Sequence, residues 1–165
     1  MEPAMKLDLS YISSILAYDA ETGDLRWIKD RARAKAGSLA GRKNDRGYIF
    51  VKIGGNSVAY ARLCWLLSHG IWPSQEIDHI NGDKTDNRLS NLRDVSPTLN
   101  KQNKRTPMAK NKLGILGVHQ RKSGKYHAQI QVAGKKVFLG LHDSAEDASQ
   151  AYLIAKRRLH ETCTI

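Results

Sequence analysis

An α+β fold is predicted, in which a strand–loop–strand–helix unit precedes a small three-stranded antiparallel sheet packed on one helix. Three observations predict it. Residues Ile77 to Asn100 run from an apolar-flanked Asp78-His79 pair through a polar turn with Gly82 into a second short strand near Leu89–Val95, and Pro97 then opens a helix. Tyr126, Ala128, Ile130 and Val132 alternate with His127, Gln129 and Gln131, the pattern of a sheet covered on one face. Ala145, Ala148, Ala151, Tyr152 and Ala155 form a small-residue stripe at helical spacing that permits close packing on such a sheet.

The elements follow in order. Leu9, Ile12, Ile15 and Leu16 have helical spacing within residues 7–17, Glu21-Thr22-Gly23-Asp24 is a turn, and Leu25-Arg26-Trp27 is a short strand. Residues 28–46 are polar and read as a loop. Gly47–Ile53 and Val58–Tyr60 form a hairpin across Gly54-Gly55-Asn56, and a helix from about Ala61 to His69 stops at Gly70 with Pro73 beyond. Trp27, Trp65 and Trp72 suit core or scaffold positions. Lys101–Pro107 carries the helix after Pro97 into a basic, polar stretch that Lys110-Asn111-Lys112 extends. From Leu116, a strand (Gly117–Arg121), a turn (122–125), a second strand, the turn Ala133-Gly134 and a third strand (Lys135–Leu141) lead to a helix. Asp143 or Ser144 caps it, Glu146 and Asp147 occupy its first turn, and Lys156, Arg157 and Arg158 lie toward its end.

With 165 residues and 41% hydrophobic content, one ordinary domain or two small ones can bury cores. No apolar run approaches membrane-spanning length and Met1–Lys6 has no secretory h-region, so a cytoplasmic location is expected. Cys64 and Cys163 match no zinc or disulfide spacing and read as small hydrophobes in a reducing compartment. The net charge is +11, with a pI near 9.8. Residues 1–100 hold 14 Lys/Arg against 12 Asp/Glu, whereas residues 101–165 hold 13 against 4. Between Asp94 and Asp143 there are ten basic residues and no acidic one. A polyanion would be drawn to that half. Nucleic acid fits better than an anionic membrane, because no long amphipathic helix sets bulky apolar anchors beside the basic residues.

A strand, a loop, a strand and a helix can bring Asp78, His79 and Asn100 to one point. Carboxylate and amide oxygens suit a hard divalent cation, and the imidazole beside them can take a proton from water. Those groups are the minimum for metal-assisted phosphodiester hydrolysis.

The words Asp-His-Ile-Asn-Gly-Asp, Asp-Asn-Arg and Asn-Leu-Arg, with His79, Asn91 and Asn100 at the signature positions, resemble the ββα-metal motif of HNH endonucleases in the His-Asn-Asn form common among phage homing endonucleases. Tyr-Asp-x-Glu-Thr-Gly-x-Leu-x-Trp and Gly-Tyr-x-x-Val-x-Ile resemble the lead-in of such proteins. The resemblance implies that His79 is the general base, that Asp78 and Asn100 hold one Mg2+, Mn2+ or similar ion, and that Asn91 ties down the loop between the strands. Arg88, Arg93, Lys101 and Lys104 become candidates to grip phosphates. Where relatives begin the preceding helix with Ala-His-Arg-Leu, this chain has Tyr60-Ala61-Arg62-Leu63. Ala61 stands in place of that His, and restoring it is expected to raise the rate of nicking if that side chain supports the site.

Leu-Gly-Val-His-Gln-Arg, Gly-Lys-Tyr-His-Ala-Gln-Ile and Leu-Gly-Leu-His-Asp-Ser-Ala-Glu-Asp-Ala-Ser-Gln-Ala-Tyr resemble the plant ethylene-response-factor (APETALA-type) DNA-binding domain, whose sheet lies in the major groove. By position, His119, Arg121, Lys125, Gln129, Gln131, Lys136 and Phe138 would face bases and phosphates. Gln and Arg have the forked geometry that reads adenine and guanine edges. His119, Gln129 and Gln131 replace charged residues of the plant domains, and Ser123 a common aromatic, so the mode of binding transfers better than the target.

The two resemblances imply a nuclease domain over residues 1–104 (ββα core about 74–104), a basic linker over 105–115 and a DNA-binding domain over 116–165. The expected protein is a monomeric, site-directed DNA endonuclease that nicks duplex DNA with one divalent metal ion. A phage-encoded chain would work in the cytoplasm of a bacterial host. The rival expectation is a catalytically weak or inactive DNA-binding or regulatory protein with a relic HNH fold, and an RNA nuclease or toxin is a third class.

Overall fold

A computed structural model describes residues 7–31, 33–161 and 163–164. The architecture is α+β, and internal packing divides the chain into two compact units, residues 1–95 and 96–165.

In the first unit Asp8 caps helix α1 (Leu9–Ile15) by accepting from the Tyr11 amide, and the chain then turns into strand β1 (Leu16–Tyr18). The helix expected over 7–17 therefore stops two residues early. Leu16 instead pairs with Trp27 in the antiparallel β1–β2 ladder (β2, Leu25–Trp27), where its side chain is fully buried. The stretch read as a loop contributes the two-residue strand β3 (Arg42–Lys43) to a sheet with β4 (Ile49–Ile53) and β5 (Asn56–Ala59). Gly54 and Gly55, with φ of 54° and 80°, make the two-residue turn whose twist matches the flanking strands. Helix α2 (Tyr60–His69) ends on Gly70 in the left-handed conformation.

Ile12, Leu16, Leu25, Trp27, Val51, Ile53, Leu63 and Leu66 close one core. Trp65 and Trp72 pack at its edge, as scaffold residues should. The core reaches the polar motif through Leu92, the first residue of β7 (Leu92–Val95), which pairs with His79, the last residue of β6 (Glu76–His79). The second strand of that hairpin is shorter than expected, because Leu89–Asn91 forms a 3-10 turn.

In the second unit Ser96 caps the six-residue helix α3 (Pro97–Gln102), accepting from the Leu99 amide at 3.3 Å. Strands β8 (Val118–Gln120), β9 (Tyr126–Val132) and β10 (Lys135–His142) form an antiparallel sheet in the order β10-β9-β8. Ser144 caps α4 (Ala145–Leu159), and Ala148, Tyr152 and Ala155 seat that helix on Val118, Ala128 and Ile130. The approach is close at Gly117, where a Cβ would lie 2.0 Å from the Tyr152 ring, and a φ of 73° also demands glycine there.

Two features of this unit lie outside the local sequence pattern. Leu113 and Ile115 are partly buried and pack against the Val118–Ala128–Ala148 core, so the stretch read as linker (105–115) ends in residues that touch that core. Lys156, toward the end of α4, is 1% exposed. Its ammonium is withdrawn from water and donates to the Lys104 carbonyl, and burial lowers its pKa.

Candidate active site

Two anchors position the hairpin that carries Asp78 and His79. The Arg62 guanidinium on α2 donates to the carbonyls of Gln75 (2.7 Å) and Pro73 (3.3 Å), which holds the entry to β6. The Asp94 carboxylate accepts from the Ser74 amide and hydroxyl (2.6 and 2.8 Å) and the Gln75 amide (2.9 Å). The register then sets Asp78 opposite Arg93 and His79 opposite Leu92.

Asp78 and His79 are each 6% exposed. A carboxylate is stable there only with a partner, because desolvation penalises a bare charge. Arg93 supplies it, donating from Nε (2.9 Å) and Nη2 (2.6 Å) to Asp78 Oδ2. The His79 imidazole has Asn87 as its neighbour, with Nε2 and the amide Oδ1 3.1 Å apart.

Asn91 closes the loop between the strands. Its amide donates to Asn81 Oδ1 (3.0 Å) and the Asp86 carbonyl (2.7 Å), and its Oδ1 accepts from the Asn81 backbone at 2.9 Å. The Ile80 amide donates to the Asn91 carbonyl (2.9 Å) and the Gly82 amide to that of His79 (2.8 Å), so the chain turns sharply after the imidazole. Asp86 accepts from Asn81 Nδ2 (2.7 Å) and from Arg88 Nε (2.8 Å) and Nη2 (2.6 Å). The Arg88 hydrogen bond is the main force holding its pKa at about 2.

Asp78, His79 and Asn91 thus come together in the first unit. Asn100 sits half-buried on α3 in the second, following β6 and β7 in the chain order ββα. Arg88 and Arg93, expected to grip phosphates, are both engaged by carboxylates, whereas the side chains of Lys101 and Lys104 are exposed. Asn87 is absent from the sequence-derived site, although it is only 2% exposed. Its place in the Asp-Asn-Arg word is visible in the sequence, but its aim at His79 is not.

The donors fit a hard cation. Asp78 offers a carboxylate, and among the described residues no three His, Cys, Asp or Glu side chains gather at one point. An ion held here would draw on amide oxygens, water and substrate phosphate beside the carboxylate, the mixed shell that Mg2+ accepts.

In the second unit the face of the sheet away from α4 carries His119, His127, Gln129, Gln131, Lys136 and Phe138. His119 pairs with His127, Gln129 with Phe138 and Gln131 with Lys136. Phe138 is 61% exposed and its ring lies 5.1 Å from that of His127. Arg121 Nη2 lies 3.3 Å from His127 Nδ1, and Lys125 pairs with Asp143 at 2.9 Å. His127 and the exposed Leu141 extend the face beyond the residues chosen from sequence. The alternation already put His127 on that side, whereas Leu141 arrives through a register shift between Phe138 and Leu141.

Residues 59–102 match the family model of the HNH endonucleases. That span runs from the last residue of β5 through α2 and the hairpin to the end of α3. The chain is also similar to a structure solved for DNA binding and cleavage by the HNH homing endonuclease I-HmuI, at 23% identity and a TM-score of 0.44. The match covers 58% of this chain and 55% of that one. No curated protein matches the chain. Among the described residues no helix is long and apolar enough to cross a membrane.

Proposed function

We propose that the chain is a divalent-metal-dependent DNA endonuclease that acts as a monomer and nicks duplex DNA. The observation that carries the reading is the HNH endonuclease match over residues 59–102, within which the Asp78-His79 pair is buried and hydrogen-bonded at the end of the hairpin. His79 acts as the base that takes a proton from the attacking water. Asp78 and, by the family resemblance, Asn100 hold the cation, which when bound supplies positive charge to the phosphate. Arg93 orients Asp78 by gripping Oδ2, and Asn91 keeps the loop closed around the imidazole.

Residues 1–104 form the nuclease domain in this reading, and the C-terminal sheet is the duplex-DNA reader. Support for the second part comes from the ten basic residues without an acidic one between Asp94 and Asp143, and from a polar face ending in an exposed aromatic. A phage origin would place the protein in a bacterial host. Ala61 speaks for the rival reading of an inactive site, but it is a buried member of the core and sits outside the Asp78–His79 hairpin.

The purified protein, incubated with supercoiled and linear DNA with and without Mg2+ or Mn2+, tests the proposal. Metal-dependent conversion of supercoiled to open circular plasmid, ahead of any linear form, is expected. Binding without cleavage under all metals would favour the inactive reading.

A further inference from the structure

The hydrogen bond between His79 and Asn87 belongs to a longer chain of contacts. An amide side chain has a donor end and an acceptor end, and its surroundings decide which points where. Asn87 Nδ2 lies 3.1 Å from the Thr85 carbonyl, which can only accept. The Oδ1 end therefore faces His79 Nε2, and the ring nitrogen must donate. In a neutral imidazole that leaves the lone pair on Nδ1.

Asn87 is itself clamped from outside the motif. The Tyr18 hydroxyl at the end of β1 donates to the Asn87 carbonyl at 2.7 Å. The turn between β1 and β2 lies directly on the same segment. A Cβ added to Gly23 would stand 2.6 Å from Arg88 N and 2.7 Å from Asn87 C, at a φ of 82°. The Leu89 amide donates to the Ala20 carbonyl (3.1 Å) on the other side of the same turn. Backbone thus packs on backbone, with no side chain between to yield.

We propose that Asn87 is a positioning residue that fixes the His79 ring with its proton on Nε2 and its lone pair on Nδ1, and that Tyr18 and the Gly23 turn form the clamp that holds Asn87 in place. The inference rests on His79 being the base only where it concerns rate. Its structural part is read separately.

The test uses the full chain labelled with 15N at histidine. A long-range proton–nitrogen correlation spectrum should place the neutral His79 proton on Nε2 and show it protected from solvent exchange. Asn87→Leu, close in volume but with no acceptor, should lose that protection and cut DNA about 10²-fold more slowly, with KM for DNA unchanged. Asn87→Asp returns an acceptor oxygen and should regain the protected proton and part of the rate. Tyr18→Phe, which keeps the ring packing, should weaken protection partially, and Gly23→Ala more strongly. A proton found on Nδ1 overturns the proposal, as does an Asn87→Leu variant with the same protected proton and the same rate. If the unsubstituted protein cut nothing, the nuclease reading alone would fall, and the Nε2 proton and its loss in Asn87→Leu would still carry the clamp.

Discussion

The two units treat polar side chains in opposite ways. In the hairpin of the first, Asp78, His79, Asn87 and Asn91 are all at most 6% exposed and each has a named partner, and the arginines that could reach outward are turned onto Asp78 and Asp86. On the second unit's sheet, His119, Gln131, Lys136 and Phe138 face solvent. A reacting site gains from side chains locked before substrate arrives, since preorganised dipoles need no rearrangement in the transition state. A surface that tracks a polyelectrolyte gains from open cations that release counterions on contact. On the proposed reading the base and the carboxylate belong to the first unit and duplex affinity to the second, and the predictions separate these assignments.

The largest expected effect lies with the second unit. If binding neutralises on the order of six to ten phosphates, DNA affinity should fall about 10³–10⁵ between roughly 50 and 200 mM salt. A titration followed by fluorescence anisotropy reads the slope, and a flat response would remove the electrostatic half of the contrast. Next comes the first unit. His79→Ala should slow cleavage roughly 10²–10⁴-fold with DNA affinity nearly intact. Asp78→Ala should also abolish cleavage, but it strands the half-buried Arg93 guanidinium, so a lowered melting temperature is expected of that variant too. Equal cutting by both variants and the parent would detach the chemistry from this site.

Smaller effects sharpen the comparison. Gln131→Ala on the open face should weaken duplex binding by about 1–3 kcal/mol if its amide reads a base, with stability unchanged. Measuring affinity and urea midpoint on the same sample separates those outcomes. Ala61→His tests the packed side. The family resemblance expects a gain in nicking, but Ala61 is 9% exposed within the closed core, so the larger ring should cost about 1–3 kcal/mol of stability. An unchanged urea midpoint would mean that the core accommodates it.

The smallest effect concerns Asp86. Its folded pKa of about 2 lies below the ordinary aspartate value of 3.8, so its ionised form favours the folded state above about pH 4, and that contribution fades as pH falls toward 2. Arg88 is largely exposed, so the pair should be worth about 1 kcal/mol or less. Asp86→Asn should therefore narrow the stability difference between about pH 6 and about pH 2. An identical pH dependence in parent and variant would show that the ion pair carries no linkage.

Local chemistry left legible marks on much of the fold. Gly54-Gly55 specified a turn, Gly70 a helix stop, Pro97 a helix start, and the alternation in 126–132 a half-covered strand, because each depends on residues adjacent in the chain. The misreadings came where a distant partner outweighed local preference. Leu16 left a helical pattern for the ladder with Trp27, Asn91 entered a 3-10 turn under the Asn81 and Asp86 contacts, and Leu113 and Ile115 left a basic stretch for a core.

By itself the sequence determined which groups could do chemistry and where charge accumulates, since composition and spacing are properties of the chain alone. Asp78, His79 and Asn91 were named from their words, and the basic half was counted from residues. Only the tertiary structure decided what those groups face. Arg93 turned onto the Asp78 carboxylate across the hairpin, Lys156 buried its ammonium against the Lys104 carbonyl, and Asn87 set its acceptor oxygen toward His79 under a clamp from Tyr18 and Gly23. Hydrogen bonds and ion pairs are short-ranged and directional, so their pairing depends on how segments up to 69 residues apart come into contact, as Tyr18 and Asn87 do. Spacing along the chain does not encode that distance.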